Sequence, residues 1–93
     1  KRSGIKEASN SFNIYPNILS GLLNVEWIQK FQGGIELTIY DVCGVRRKSI
    51  KLGKVLPGDY RKIINISDFS GGVYFVVLKQ NNEEVKKKFI IIR

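Results

Sequence analysis

The sequence predicts an all-β fold, an immunoglobulin-like antiparallel β-sandwich of about seven short strands. Three observations favour this class. Isoleucine and valine, which favour strands, are abundant, whereas alanine occurs once. Apolar and polar residues alternate over short runs, and no run has the period of a helix. Glycine, proline or asparagine separates the runs at intervals that are typical of sandwiches.

The predicted strands span residues 12–15, 22–27, 35–40, 45–51, 60–66, 71–78 and 84–93. In the first, Phe12 and Ile14 share a face, and Pro16 should end the strand because proline has no backbone N–H to donate. The second strand places alternate apolar residues, ending with Trp27, on one face. Gly33-Gly34 should then turn the chain in a hairpin.

The third strand alternates most regularly, and its side chains Ile35, Leu37 and Ile39 should face the core. Residues 41–44 begin with aspartate and end with glycine, which is the composition of a type I turn. The fourth strand is basic and has few apolar residues. We therefore expect it at the edge of a sheet.

The second half of the chain contains the strand that is predicted to lie at the centre of a sheet. Residues 53–59 should be irregular, and the fifth strand becomes more apolar toward Ile66. The sixth, 71–78, has two glycines followed by six apolar residues, the longest apolar run in the chain. It should be a central strand that is buried on both faces. Asn81-Asn82 should form the last hairpin turn.

The composition excludes several kinds of chemistry. The chain has no histidine and a single cysteine, Cys43, so it cannot form an internal disulfide, a zinc site built on cysteine and histidine, or a triad with a histidine base. We expect no cofactor, no metal and no membrane span. Because methionine is absent, we expect this chain to be a piece of a longer protein, with residues 1–11 as a polar linker.

The formal net charge is +8, and the positive excess lies in residues 46–62 and 79–93. Basic surfaces can bind nucleic acid or anionic lipid. The aromatic residues, however, lie within alternating strand patterns rather than among the basic residues. This arrangement favours a solvated sheet face over a nucleic-acid site.

Four motifs follow one another along the chain. They are Tyr15-Pro16-Asn17, then Ile39-Tyr40-Asp41 closed by Gly44, then residues 66–75 with Gly72 and Tyr74, and finally Lys87-Lys88-Phe89-Ile90. In this order and spacing the motifs resemble the type A C-terminal sorting domain of the type IX secretion system. The resemblance covers residues 12–93.

The resemblance implies a sandwich at the end of a secreted protein. Such domains direct their cargo through the periplasm to an outer-membrane translocon of didermal bacteria. A sortase-like peptidase of the cysteine class commonly removes the domain at the cell surface. By this resemblance residues 1–11 link the domain to a missing upstream cargo and include the region of cleavage. The partners would be the translocon, the peptidase and the covalently attached cargo, without nucleic acid.

We predict that the translocon or the peptidase recognises ten residues: Tyr15, Pro16, Asn17, Gly72, Tyr74, Lys86, Lys87, Lys88, Phe89 and Ile90. Each also has a structural interpretation. The first three are equally consistent with a strand end and turn. Gly72 and Tyr74 fit better as a turn glycine and a buried ring whose hydroxyl reaches the rim. The lysines could protect an edge strand, but a charge on each face of the strand favours recognition.

Three other functions are open. A terminal adhesion or carbohydrate-binding module of fibronectin type would need an exposed aromatic platform, for which only Trp27, Phe31 and Tyr40 are candidates. A nucleic-acid binder would use the basic fourth strand. An enzyme is the least favoured, because the acidic residues are scattered over turns and no base is paired with a nucleophile.

Overall fold

The computed structural model describes residues 12–17, 19–80 and 83–93. Its seven strands are β1 (Phe12–Asn17), β2 (Leu22–Gln29), β3 (Gly33–Asp41), β4 (Arg46–Val55), β5 (Gly58–Asn65), β6 (Gly72–Gln80) and β7 (Glu83–Ile91). They form a three-stranded sheet of order β1-β2-β5 and a four-stranded sheet of order β4-β3-β6-β7, both antiparallel. No helix occurs in these residues, and the predicted all-β sandwich is confirmed.

The core lies between the two sheets and is built from alternate residues of the strands, as strand geometry requires. Its buried apolar side chains are Phe12, Leu23, Val25, Trp27, Ile35, Leu37, Ile39, Val55, Ile64, Ile66, Phe69, Tyr74, Val76, Leu78, Phe89 and Ile91. The shared apolar faces predicted for β1 and β2 and the core-facing side predicted for β3 are therefore confirmed.

β6 is a central strand, because it pairs with β3 on one side and with β7 on the other. Its inward residues are buried, whereas its outward residues Val73, Phe75 and Val77 are half-buried. The prediction that both faces of this strand are buried is wrong. In a two-layer sandwich each sheet has only one face against the core.

Several predicted boundaries also differ. Pro16 lies inside β1, opposite Leu23, because an edge strand tolerates a residue without an N–H. Gly33-Gly34 opens β3 and forms no hairpin, since β2 and β3 belong to different sheets. Residues 53–59 are not a long irregular segment. β4 continues to Val55 and β5 begins at Gly58, so two residues connect the sheets.

The turn after β3 is as predicted. The N–H of Gly44 donates to the Asp41 carbonyl at 2.9 Å, and the Asp41 carboxylate accepts the N–H groups of Cys43 and Val45 at 3.0 and 2.9 Å. β4 follows this turn and is an edge strand, also as predicted. The expected linker, residues 1–11, and the expected turn at 81–82 lie outside the described residues.

Candidate recognition surface

β7 is an edge strand. It pairs with β6 on one side, and no other strand of the described residues pairs with its second side. In an antiparallel strand, alternate residues direct their N–H and C=O groups to opposite sides. About half of the backbone groups of β7 therefore point away from β6. β1, the edge of the other sheet, contacts β7.

The three consecutive lysines of β7 divide between its faces. Lys87 is opposite the buried residue Val76, so it points inward and is half-buried. Lys86 and Lys88 are opposite Val77 and Phe75, point outward and are exposed. The ammonium of Lys86 lies 5.3 Å from the centre of the Phe75 ring, a cation–π contact.

Inward lysines also occur on the other edge strands. Lys48 of β4 is half-buried, and its Nζ donates to the Asn65 carbonyl at 3.0 Å. Lys62 of β5 is half-buried and opposite the buried residue Val25. Inward charges and edge prolines such as Pro16 oppose edge-to-edge association of sheets. Neither lysine was predicted from the sequence to point inward, although each lies two residues before an isoleucine of the inner face, Ile50 or Ile64.

Phe89 and Ile90 face opposite ways. Phe89 is 4% exposed, and its ring stacks on that of Tyr74 with 5.6 Å between centres. Ile90 is 51% exposed on the outer face. In the folded domain a partner can therefore contact Ile90 directly, whereas the Phe89 ring is part of the core.

The backbone conformation of Gly72 and the hydrogen bond of Tyr74 give both residues a structural role. Gly72 has φ of 151°, a conformation that side-chain-bearing residues rarely adopt. The hydroxyl of the buried Tyr74 donates to the Ser70 carbonyl at 2.7 Å. A tyrosine that bonds back to the chain just before its strand is the tyrosine corner of immunoglobulin-like sandwiches.

The Tyr15-Pro16-Asn17 segment combines an exposed ring with a turn. Tyr15 points outward from the three-stranded sheet and is 52% exposed. The Asn17 carbonyl accepts the N–H of Gly21 at 2.9 Å, and its side-chain oxygen accepts the N–H of Ser20 at 3.3 Å. The segment therefore builds the β1–β2 turn and also presents a ring to solvent.

Hydrogen bonds connect this turn to the end of the chain. The Gly21 carbonyl accepts the N–H of Ile66 at 2.8 Å, and the Ile66 carbonyl accepts Nη2 of Arg93 at 3.4 Å. The first and last of the four motifs thus lie toward the same end of the sandwich.

A family model described as the secretion system C-terminal sorting domain matches residues 13–92. The chain belongs to this family. The resemblance found in the motifs is thereby confirmed, and the sorting domain is a C-terminal signal of the type IX secretion system. It is associated with the type IX machinery and with an upstream cargo that is secreted or displayed on the surface of a Gram-negative bacterium. A comparison with curated proteins gave no match.

The aromatic candidates for a glycan platform are dispersed in the sorting domain. Trp27 is 3% exposed, and its Nε1 donates to the Gln29 side chain at 3.2 Å within the core. Tyr40 is half-buried, and Phe31 is exposed in the connection between sheets. Trp27 therefore cannot form part of an exposed platform in the folded domain.

The part of the chain that the structure describes contains no group of three or more histidine, cysteine, aspartate or glutamate residues placed to hold a metal ion. It also contains no helix with the length and hydropathy needed to cross a membrane.

Proposed function

We propose that this sorting domain carries an upstream cargo protein to the type IX outer-membrane translocon and that β7 is its main contact there. The observation that supports this placement is the edge of β7 that pairs with no other strand of the described residues and is bordered by the exposed side chains Lys86, Lys88 and Ile90. After export, a sortase-like peptidase would remove the domain at the outer-membrane surface by cutting within residues 1–11.

A translocon that exports many different cargo proteins has to bind a feature that their sorting domains share. A sheet edge supplies this, because an incoming strand bonds to backbone groups whatever the sequence of the cargo. The outward lysines of β7 would attract an acidic partner surface and favour its approach in one orientation. The inward ammonium of Lys87 would disfavour a purely apolar strand, because such a strand leaves that charge partly desolvated.

We also propose that the domain has no catalytic activity and that any activity belongs to the cargo. The lack of histidine and the dispersion of the carboxylates support this proposal. Asp41 lies at a turn, where its carboxylate bonds to backbone N–H groups, and Asp68 lies in the connection from β5 to β6. Both positions suit turn formation.

A reporter fusion tests the address function, by which we mean that the domain directs its cargo to the translocon. Residues 1–93 are joined to the C-terminus of a reporter that carries a signal for the periplasm, and the fusion is expressed in a type IX host. We expect the reporter at the cell surface or in the medium. A folded fusion that accumulates in the periplasm, while native cargo is exported normally, would refute the proposal. Mass spectrometry of the exported reporter then tests whether cleavage occurs within residues 1–11.

A further inference from the structure

The outer face of the four-stranded sheet carries one row of residues that crosses all four strands. Arg46 is opposite Tyr40, Tyr40 is opposite Phe75, and Phe75 is opposite Lys88. The two aromatic residues are half-buried, and the two cations at the ends of the row are exposed. Since neighbouring strands are about 4.8 Å apart, the row spans about 14 Å. Lys86 adds a third cation beside the Phe75 ring.

The cations of this row are not neutralised by the acids nearby. Asp41 and Glu84 border the depression above Tyr40 and Phe75. Asp41 already accepts two turn N–H groups and lies 3.6 Å from the Arg47 guanidinium. Glu84 lies 3.7 Å from the Lys79 ammonium.

Within the described residues no ion pair involves Arg46, Lys86 or Lys88. The face therefore combines an apolar floor with surrounding charges among which cations outnumber acids.

The expected separation of aromatic and basic residues does not hold in the folded domain. The aromatic and basic residues are separate along the chain, but the register of the strands brings them together in space. Tyr40 is opposite Arg46 in the β3–β4 pair, and Phe75 is opposite Lys88 in the β6–β7 pair. The separation in sequence is therefore no argument against a charged binding face.

We propose that this outer face binds an acidic protein segment that places an aromatic or aliphatic side chain over Tyr40 and Phe75. Carboxylates of the segment would lie against Arg46, Lys86 and Lys88. The inference rests on the proposed function, because it names the chemistry of the translocon segment that contacts β7. Half-buried rings suit an inserted side chain, since they offer apolar area at the base of a depression.

Nucleic acid would also be attracted to cations around aromatic rings. We favour a protein segment because the chain is a sorting domain that associates with secretion machinery. Single-stranded DNA is therefore included as a competing probe.

The test is a titration of the isotope-labelled chain, followed by amide NMR, with two short peptides. One alternates glutamate with phenylalanine, and the other has glutamine at each glutamate position. We expect shifts centred on Tyr40, Phe75 and Lys88, and affinity for the glutamine peptide about tenfold lower, since several carboxylate contacts are lost. Binding should weaken as salt is added.

Charge reversal at matched positions locates the site. Lys88→Glu should weaken binding of the glutamate peptide by about tenfold, because attraction becomes repulsion. Lys54→Glu, at an exposed position on the opposite edge strand, should change it less than about twofold. Since both side chains are exposed, both variants should keep the dispersed spectrum of the folded domain.

Three results would each overturn the inference: equal affinity for the two peptides, shifts confined to the three-stranded sheet, or tighter binding of a single-stranded oligonucleotide than of the glutamate peptide. Absence of binding to every probe would also overturn it. The two proposals fail separately. If the reporter is exported but the glutamate peptide does not bind, only this inference is wrong. If the reporter is not exported, the address function fails whatever the peptide does.

Discussion

Lys48 and Lys87 occupy the two ends of one cross-strand row on the inner face of the four-stranded sheet. Lys48 is opposite Ile39, Ile39 is opposite Val76, and Val76 is opposite Lys87. The Lys48 ammonium bonds to the Asn65 carbonyl at the β5 side of the sandwich. The described residues show no such bond for Lys87, so the β7 edge has an inward charge that remains available to a partner.

Replacing the charge of Lys87 should cause the domain to self-associate through the β7 edge. In Lys87→Val an apolar side chain stands next to Val76, and the edge loses the inward charge that opposes pairing with another sheet. We expect a concentration-dependent increase in mass by sedimentation, relative to the unchanged chain. Lys86→Gln is the control, because it removes a charge from the outer face only. If Lys87→Val sediments like the unchanged chain at every concentration, the inward lysine does not protect the edge.

Reversing the outward charges of β7 should impair export without unfolding the domain. Lys86→Glu with Lys88→Glu inverts the charge that would meet an acidic translocon surface, so the folded reporter fusion should accumulate in the periplasm. The control is Lys51→Glu with Lys54→Glu on β4, which changes the net charge equally at the opposite edge. Deleting residues 84–93 is a poorer test, because it removes Phe89 and Ile91 from the core. Export of both double variants at equal rates would exclude charge recognition at β7.

The tyrosine corner should contribute to stability through its hydroxyl. Tyr74→Phe keeps the ring stacked on Phe89 but loses the bond to the Ser70 carbonyl, so the free energy of unfolding should fall by about 1 kcal/mol. Urea denaturation measures this change. Tyr40→Phe removes a hydroxyl from a half-buried ring and should alter the free energy by less than about 0.5 kcal/mol. Equal effects of the two substitutions would contradict the structural role of the Tyr74 hydroxyl.

Alanine substitutions at three glycines should distinguish the cost of backbone strain from the cost of a steric contact. At Gly21, with φ of 71°, an added Cβ would lie 2.9 Å from the Cβ of Ser67. At Gly44, with φ of 85°, it would meet nothing within 4 Å, and Gly53 has neither constraint. Gly44→Ala should cost about 1 kcal/mol of unfolding free energy, from the left-handed backbone alone. Gly21→Ala should cost more, about 2 kcal/mol or above, because the contact adds to the strain.

Gly53→Ala should change the free energy least, and the same urea titration ranks all three variants. If Gly44→Ala and Gly21→Ala lower the free energy of unfolding equally, the structure relieves the contact with Ser67 without an energetic cost.

The sequence predicted those features of the fold that depend on neighbours in the chain. The inward faces of β1, β2 and β3 follow from the two-residue period of a strand, and the turn at 41–44 follows from the local bonds of Asp41. The sequence also indicated the edge position of β4 and the central position of β6, but the assignment of β2 and β3 to different sheets was missed. Gly33-Gly34 has the composition of a hairpin, but whether two consecutive strands pair is decided by the packing of the whole core.

The candidate surface was predictable only in part. Strand alternation predicts that Lys87 points to the opposite face from Lys86 and Lys88, and the structure confirms this. The row from Arg46 to Lys88 depends instead on the register of three strand pairs and on an irregularity between Ile39 and Tyr40. A single sequence contains no local signal for such a register. The recognition role of the ten predicted residues stays a prediction.

Because Phe89 and Ile91 complete the core, the last of the seven strands is needed before the sandwich can close. A polypeptide broken anywhere ahead of β7 lacks both this closure and the edge at which docking is proposed. If β7 is the docking edge, as proposed, a cargo protein whose chain ends ahead of β7 would therefore not be exported.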